Sequence, residues 1–293
     1  MTTLLTLNTG CSTIPLRERA DSLFLIHDHL ETYYDLKKPS ERLLLPFVLT
    51  EISGLGMITD HRLLCVEDEK GYVYEYDVKS KEIINSIKFW SPGDFEGVEL
   101  VNDKIYVLES DGDIFEMDYT DQDKAKATKY ENKLNRGNDT EALGYDPVGK
   151  RLLIGCKGQE EIKGVDAKGK TVYAFDVTKK ELIEEPFFEL TAKDMESFFE
   201  ANRDFDYEEE RIKFKPSGIA YNPLDEYYYL LASVGQFLIV LDRSGEIQGT
   251  YPIPPYILGQ PEGIAFSSDG EMYISSEGRG ERGYIVRFSP IQK

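Results

Sequence analysis

Cysteine is scarce in this chain of 293 residues: there are 3, so the thiols cannot all pair with one another. No CxxC pair and no Cys/His cluster at zinc spacing occurs, which excludes the common structural zinc sites. Histidine is equally rare. His27 and His29 form the one close pair; in a strand they would share a face, but no third histidine lies near them, so they read as surface residues. There is no GxSxG step and no serine with an evident base, so Ser-His-Asp hydrolysis has little support. No run of 18 apolar residues exists, so no segment has the composition of a membrane-spanning helix. Basic residues are the last shortage. Lys and Arg total 34 against 54 Asp and Glu, a formal charge of −20 that repels phosphate backbones and excludes nucleic acid as a partner. Such a surface suits cations, or simply solubility.

What is abundant is β-forming. Tyr (19) and Phe (15) lean toward strands, and hydrophobic residues reach 41%, enough for one large core. Cys65 ("RLLCVE") and Cys156 ("RLLIGC") sit in apolar runs and read as buried thiols. Cys11 differs. "TLLTLNTGCST" ends an apolar stretch with Gly-Cys-Ser and resembles a bacterial lipoprotein cleavage site, with Cys11 the lipidated residue. Asn8 stands where Leu is usual, no Lys or Arg precedes it, and "LLTL" is short; a signal truncated by a late start codon and an ordinary N-terminal tail both fit. Residues 1–20 are therefore a leader or tether, and 21–293 one domain.

That domain repeats itself. "EISGLGMITDHRLLCVEDEKGYVYEYDV", "DFEGVELVNDKIYVLESDGDIFEMDY", "DTEALGYDPVGKRLLIGC", "KPSGIAYNPLDEYYYLLASVGQFLIVLD" and "QPEGIAFSSDGEMYISSEGRGERGYIVRF" share one plan. A small-residue step starts a short strand at Gly54, Gly97, Ala142, Gly218 and Gly263, spaced 43, 45, 76 and 45 residues apart. A turn, an apolar second strand, a second turn and an alternating third strand follow, and a fourth strand is weaker ("EIINSIKF", "ELIEEPFFEL", "EIQGTYPI"). Several strands on a period in the forties predict an all-β fold, a β-propeller. Five repeats predict five blades, or six if the long gap or the N-terminal region hides a degenerate one. The last unit lacks its fourth strand, and "SLFLIHDHLETYYDL" is the expected donor that closes the ring. The gap of 76 predicts an insertion at about 188–212. There Thr191 and Asp194 resemble a capping box, and Met195, Phe198 and Phe199 fall on one helical face, either as a cover over apolar surface or as a wall of the binding site.

The sharpest chemical constellation is Glu96, Glu141 and Glu262, at one equivalent position of three blades. Inner strands line the central channel, so these carboxylates approach one another, raise one another's pKa, and suit a hard cation, Ca²⁺ above all. The alternative is that they accept backbone N–H bonds or meet water. Ser53 and Ser217 hold that position in the other two blades, so a five-fold cation cage is not expected. Glu67, Glu109 and Glu277 end the second strands at roughly matching positions and join Ser53 and Ser217 as channel-lining residues, with Lys157 nearby. "DGD" at 111–113 and "SSDG" at 267–270 do not continue into a calcium-loop pattern and read as hairpin turns. "GRGERG" opens toward a strand, which argues against a phosphate cradle, although Arg279 and Arg282 could meet an anion at a loop tip.

The order of these Ser/Glu steps, with "YYDLKKPSERLLLPFVLTEISGL" before them, resembles the SdiA-regulated family of bacterial envelope proteins over roughly residues 30 to 290. The resemblance implies a propeller related to NHL-repeat and phytase-like propellers, and membrane association or export. It supplies no established reaction and no catalytic residues. The combined expectation is a monomeric, non-enzymatic propeller of the bacterial envelope that binds a small ligand or an envelope protein, attached peripherally through Cys11. The alternative is a calcium-dependent hydrolase of phosphate esters or lactones.

Overall fold

The computed structural model describes residues 33–159, 161–162, 167, 169–191, 194 and 214–291. Among them, five antiparallel sheets of four strands form a five-bladed propeller. The first blade is β2 (Ile52–Thr59), β3 (Arg62–Glu67), β4 (Tyr72–Asp77) and β5 (Glu82–Lys88). The second is β6 (Phe95–Val101), β7 (Lys104–Glu109), β8 (Ile114–Asp118) and β9 (Thr128–Tyr130). The third is β10 (Thr140–Asp146), β11 (Arg151–Cys156), β12 (Lys170–Asp176) and β13 (Glu181–Leu190). The fourth is β14 (Lys215–Asn222), β15 (Tyr227–Val234), β16 (Phe237–Leu241) and β17 (Ile247–Pro252). The fifth joins β18 (Pro261–Phe266), β19 (Met272–Ser276) and β20 (Tyr284–Phe288) to β1 (Glu41–Leu44) from the start of the chain.

The ring thus closes on a strand from the N-terminal side, but not on the expected stretch. The closing strand is β1, which pairs with β20 from Glu41↔Arg287 to Leu44↔Tyr284. Residues 45–51 lead straight from β1 into β2, so β1 sits beside the last blade with a short connector to the first. Leu43 is buried there, and Arg42 lays its guanidinium 3.7 Å from the Tyr284 ring centroid. Tyr34 of the predicted donor has another task. It is buried beside Tyr229 and Phe266, and its hydroxyl donates to the Gly270 carbonyl at 2.6 Å.

Each blade is a sheet covered on both faces by its neighbours, which is why the middle strands read as unbroken apolar runs. On β3, Leu63 and Cys65 enter one core cluster while Leu64 and Val66 enter the next. The outermost strands alternate instead, as in β5, because one of their faces meets water. The inner strands contact one another in sequence around the ring, from β2 through β6, β10 and β14 to β18 and back. Crowding there explains the repeated small residues: a Cβ added to Gly54 would lie 2.7 Å from the Gly97 Cα. Both cysteines of the apolar runs are buried.

Residues 188–190 close β13, and most of the stretch that follows lies outside the described residues. Thr191 and Asp194 do exchange capping-box bonds: the Thr191 N–H donates to Asp194 Oδ2 at 2.9 Å, and the Asp194 N–H donates to Thr191 Oγ1 at 3.2 Å. Met195, Phe198 and Phe199 lie outside the described residues, as do Cys11, His27 and His29.

Candidate functional site

One irregularity recurs in every blade, where the inner strand begins. On β2, Ile52 faces Glu67 and Gly54 faces Val66, leaving Ser53 as an extra, unopposed residue. The same shift leaves Glu96 unopposed on β6, Glu141 on β10 and Ser217 on β14; on β18 the shift falls between Pro261 and Ile264, spanning Glu262. These are β-bulges, which locally twist a strand and re-aim the side chain of the extra residue. The position that holds Glu in three blades and Ser in two is therefore a bulge slot, directed at the channel.

The two serines use the slot to tie blades together. Ser53 Oγ donates to the Phe95 carbonyl at 2.6 Å, and Ser217 Oγ donates to the Pro261 carbonyl at 2.9 Å. Each acceptor is the residue just before the next blade's slot glutamate, so the serines fix the strand starts from which Glu96 and Glu262 project. The glutamates do something else. Glu96, Glu141 and Glu262 all face one cavity of about 130 Å³, with Ser53, Glu51 and Ile52 on the same wall. Asp68, Lys157, Gln260 and Glu277 complete the wall.

The electrostatics of this cavity are lopsided: six carboxylates line it against a single ammonium, Lys157. Burial pushes Glu96 up to about 10, aided by the charges of Glu141 and Asp94, by a hydrogen bond with Asp94, and by Glu262. Glu262 is pushed up to about 9 by burial and by Glu141. Glu141 rises only to about 7, because Lys157 bonds to it and offsets part of the burial cost. Burial works to lower Lys157, but the charges of Glu141 and Glu262 outweigh it, and the ammonium is held above its usual range. Asp68 is pushed up to about 6 by burial, then by Glu51 and Glu67. Its Oδ1 is buried without a partner, as is Oε1 of the neighbouring Glu67. Glu277 is raised too, by burial and by Glu51. At neutral pH the folded mouth retains protons that water-exposed carboxylates would have lost.

Register separates the second-strand residues that the repeat pattern grouped. Glu67 faces Ile52 and Glu109 faces Phe95, but the residue facing Pro261 is Ser276, not Glu277. Glu277 corresponds instead to Asp68 and Lys157, and those three line the cavity. Glu67 and Glu109 stand one residue out of phase, on the other face of their strands. Glu67 is buried against Lys70 at 3.1 Å, and Glu109 meets Lys129 of β9 at 2.9 Å. Asp68 is thus the lining acid that sequence comparison passed over; counting back from Lys157 rather than from Glu109 would have found it.

Among the described residues, the group of three acids whose ligand atoms all lie within 4.8 Å is Glu109, Asp111 and Asp113, and it could hold a metal ion. It belongs to the β7–β8 hairpin turn, and Lys129 already reaches Glu109 and Asp113, the latter at 2.7 Å. The channel glutamates are more widely spaced, so water would complete the shell of any cation they share. Of the two loop-tip arginines, Arg282 donates to the Leu45 carbonyl at 2.6 Å, while Arg279 donates to Gln260 Oε1 at 2.8 Å.

A family model for SdiA-regulated proteins matches residues 35–279, which takes in every slot and every strand but β20. The chain belongs to the SdiA-regulated family. No curated protein matches it by sequence. Among solved structures, the PQQ-bound aldose sugar dehydrogenase of Streptomyces coelicolor is similar at 12% identity and TM-score 0.54, covering 87% of this chain and 98% of that one. The glutaminyl cyclase of Myxococcus xanthus is similar at 13% identity and TM-score 0.54, covering 87% and 97%. At such identities the likeness shows a shared fold, and the family match carries no reaction with it.

Proposed function

We propose that this member of the family is a non-enzymatic binding propeller of the bacterial cell envelope, tethered through a lipid on Cys11. Its ligand-binding face is the acidic channel mouth. A Ca²⁺ ion there is held by Glu96, Glu141 and Glu262, and the partner is a small ligand or an envelope protein. The observation that carries the reading is the division of labour at the bulge slot. Two blades use it for a serine tie, and three place a carboxylate in a cavity whose single ammonium is already paired. Carboxylates so confined gain from a hard cation that accepts oxygen ligands and keeps some water.

The same lining argues against hydrolysis of phosphate esters. An anionic ester would meet six carboxylates and one committed lysine, whereas phosphoryl chemistry calls for several free cations around the transferring group. The test is calorimetric titration of Ca²⁺ into the full chain, beside a turnover screen on phosphate esters and lactones. Binding heat that disappears in Glu96→Gln with Glu262→Gln supports the reading. Calcium-dependent turnover abolished by either substitution would replace it with the hydrolase. Lipidation is checked by mass spectrometry of the natively produced protein, where an unmodified Cys11 in a soluble fraction contradicts the tether.

A further inference from the structure

The bulge slots, the inner-strand starts and the second-strand ends lie at one face of the ring. So do the loops that run from each outer strand to the next inner strand. Among the described residues, the exposed large hydrophobic side chains include three aromatics: Phe47 at 75%, Tyr256 at 72% and Trp90 at 37%. All three stand on loops of that face: Tyr256 on 253–260, Phe47 on 45–51 and Trp90 on 89–94. These loops are consecutive around the ring, joining blade four to five, five to one, and one to two. Leu44 and Val48 are exposed beside Phe47.

The loops are pinned. Gln236 Nε2 donates to the carbonyls of Leu258 and Gly259 at 3.3 and 3.1 Å. Arg282, bonded to Leu45, sets its guanidinium 5.7 Å from the Phe47 ring. The Trp90 ring sits 4.9 Å from that of Phe115, and the Trp90 backbone N–H donates to the Gly71 carbonyl at 3.3 Å. Phe47 and Tyr256 are held outward on fixed loops, and Trp90 exposes the part of its ring that does not pack on Phe115; such patches mark interaction sites. The arc also borders the outer acids of the mouth. Glu51 is exposed, and Asp68 and Glu277 are half-buried, Glu277 accepting from Gln260 Nε2.

We infer that this arc, from the 253–260 loop across 45–51 to 89–94, docks a polypeptide segment that alternates basic and apolar side chains. Its ammonium or guanidinium groups pair with Glu51, Asp68 and Glu277, and its apolar groups cover Tyr256, Phe47 and Trp90. Charge complementarity selects this occupant. An acidic or neutral segment would leave the carboxylates uncompensated, and a small cation alone would leave the aromatics uncovered. The inference rests on the reading of the acidic mouth as the ligand-binding face, but it uses the outer acids, not the channel glutamates assigned to Ca²⁺.

Trp90 is the chain's single tryptophan, so its emission reports on the arc directly. The full chain in EDTA is titrated with the synthetic peptide acetyl-KLKFKL-amide and with acetyl-ELEFEL-amide, and its mass is followed by light scattering. The basic peptide is expected to give a saturable blue shift, weakened about tenfold by raising salt and about tenfold by Glu51→Gln with Glu277→Gln. Phe47→Ser with Tyr256→Ser, at exposed positions that leave the core intact, is expected to weaken it similarly. Glu96→Gln with Glu262→Gln is expected to keep peptide affinity within about threefold while losing Ca²⁺. Four results overturn the inference: no shift up to about 1 mM peptide, equal binding of the acidic peptide, indifference to both arc variants, or a shift that follows protein concentration with a doubled mass, which would make a second copy the occupant. Calcium binding with no peptide binding sinks this inference alone; peptide binding with no calcium binding sinks the channel cation alone.

Discussion

Serine and glutamate share one slot in this ring, and what separates them is the partner each meets. Ser53 donates to a buried carbonyl of the next blade. Ser53→Ala leaves that acceptor without its donor and is expected to cost about 1–2 kcal/mol, read as a fall in the denaturation midpoint. Glu96 instead shares a hydrogen bond with Asp94 and is held at about 10 mainly by burial. Glutamates of the unfolded chain titrate near about 4.3, so between those values the folded state binds the extra proton. The resulting stability is full below about pH 4 and is lost as pH rises toward the folded value. Glu96→Gln removes that titration. In EDTA, the Tm difference between variant and wild type is expected to grow more positive from pH 5 to 9, reaching about 2–4 °C near pH 8. A difference that is flat with pH would mean that the carboxyl is not held up by its surroundings.

At the scale of elements, the bulge and the closing strand matter most. The repeats were legible because each strand pair obeys local rules: small residues at a crowded inner strand, turn residues at its end, apolar runs in blades buried on both faces. The bulge was not legible, because one extra residue leaves the run of apolar side chains intact and shows only in the pairing. For the same reason Glu277 was grouped with Glu67 and Glu109, although a single step of register puts it on the opposite face with Asp68. The closing strand was misplaced because "SLFLIHDHLETYYDL" is the longer β-like stretch, whereas the four residues Glu41–Leu44 pair with β20. Leu43 is the buried anchor of that strand. Leu43→Ala is expected to cost about 2–4 kcal/mol and to lower the unfolding midpoint of the whole ring in one transition. A separate early transition confined to the fifth blade would show that closure is not coupled to the rest.

For the whole molecule, a formal charge of −20 surrounds a channel mouth that concentrates six of the acids in one cavity. Protons held by Glu96 and Glu262 at neutral pH must leave if a cation takes their oxygens, so calcium binding should release protons, and its heat should change with the ionisation enthalpy of the buffer. The slot glutamates are proposed to form a cation site, and that site can be seen directly. It is tested most directly by anomalous scattering from crystals of the full chain grown with Ca²⁺. One strong peak is expected in the channel mouth, within about 2.3–2.6 Å of carboxylate oxygens of Glu96, Glu141 or Glu262. A channel without a peak, or a peak confined to Glu109, Asp111 and Asp113, would contradict it.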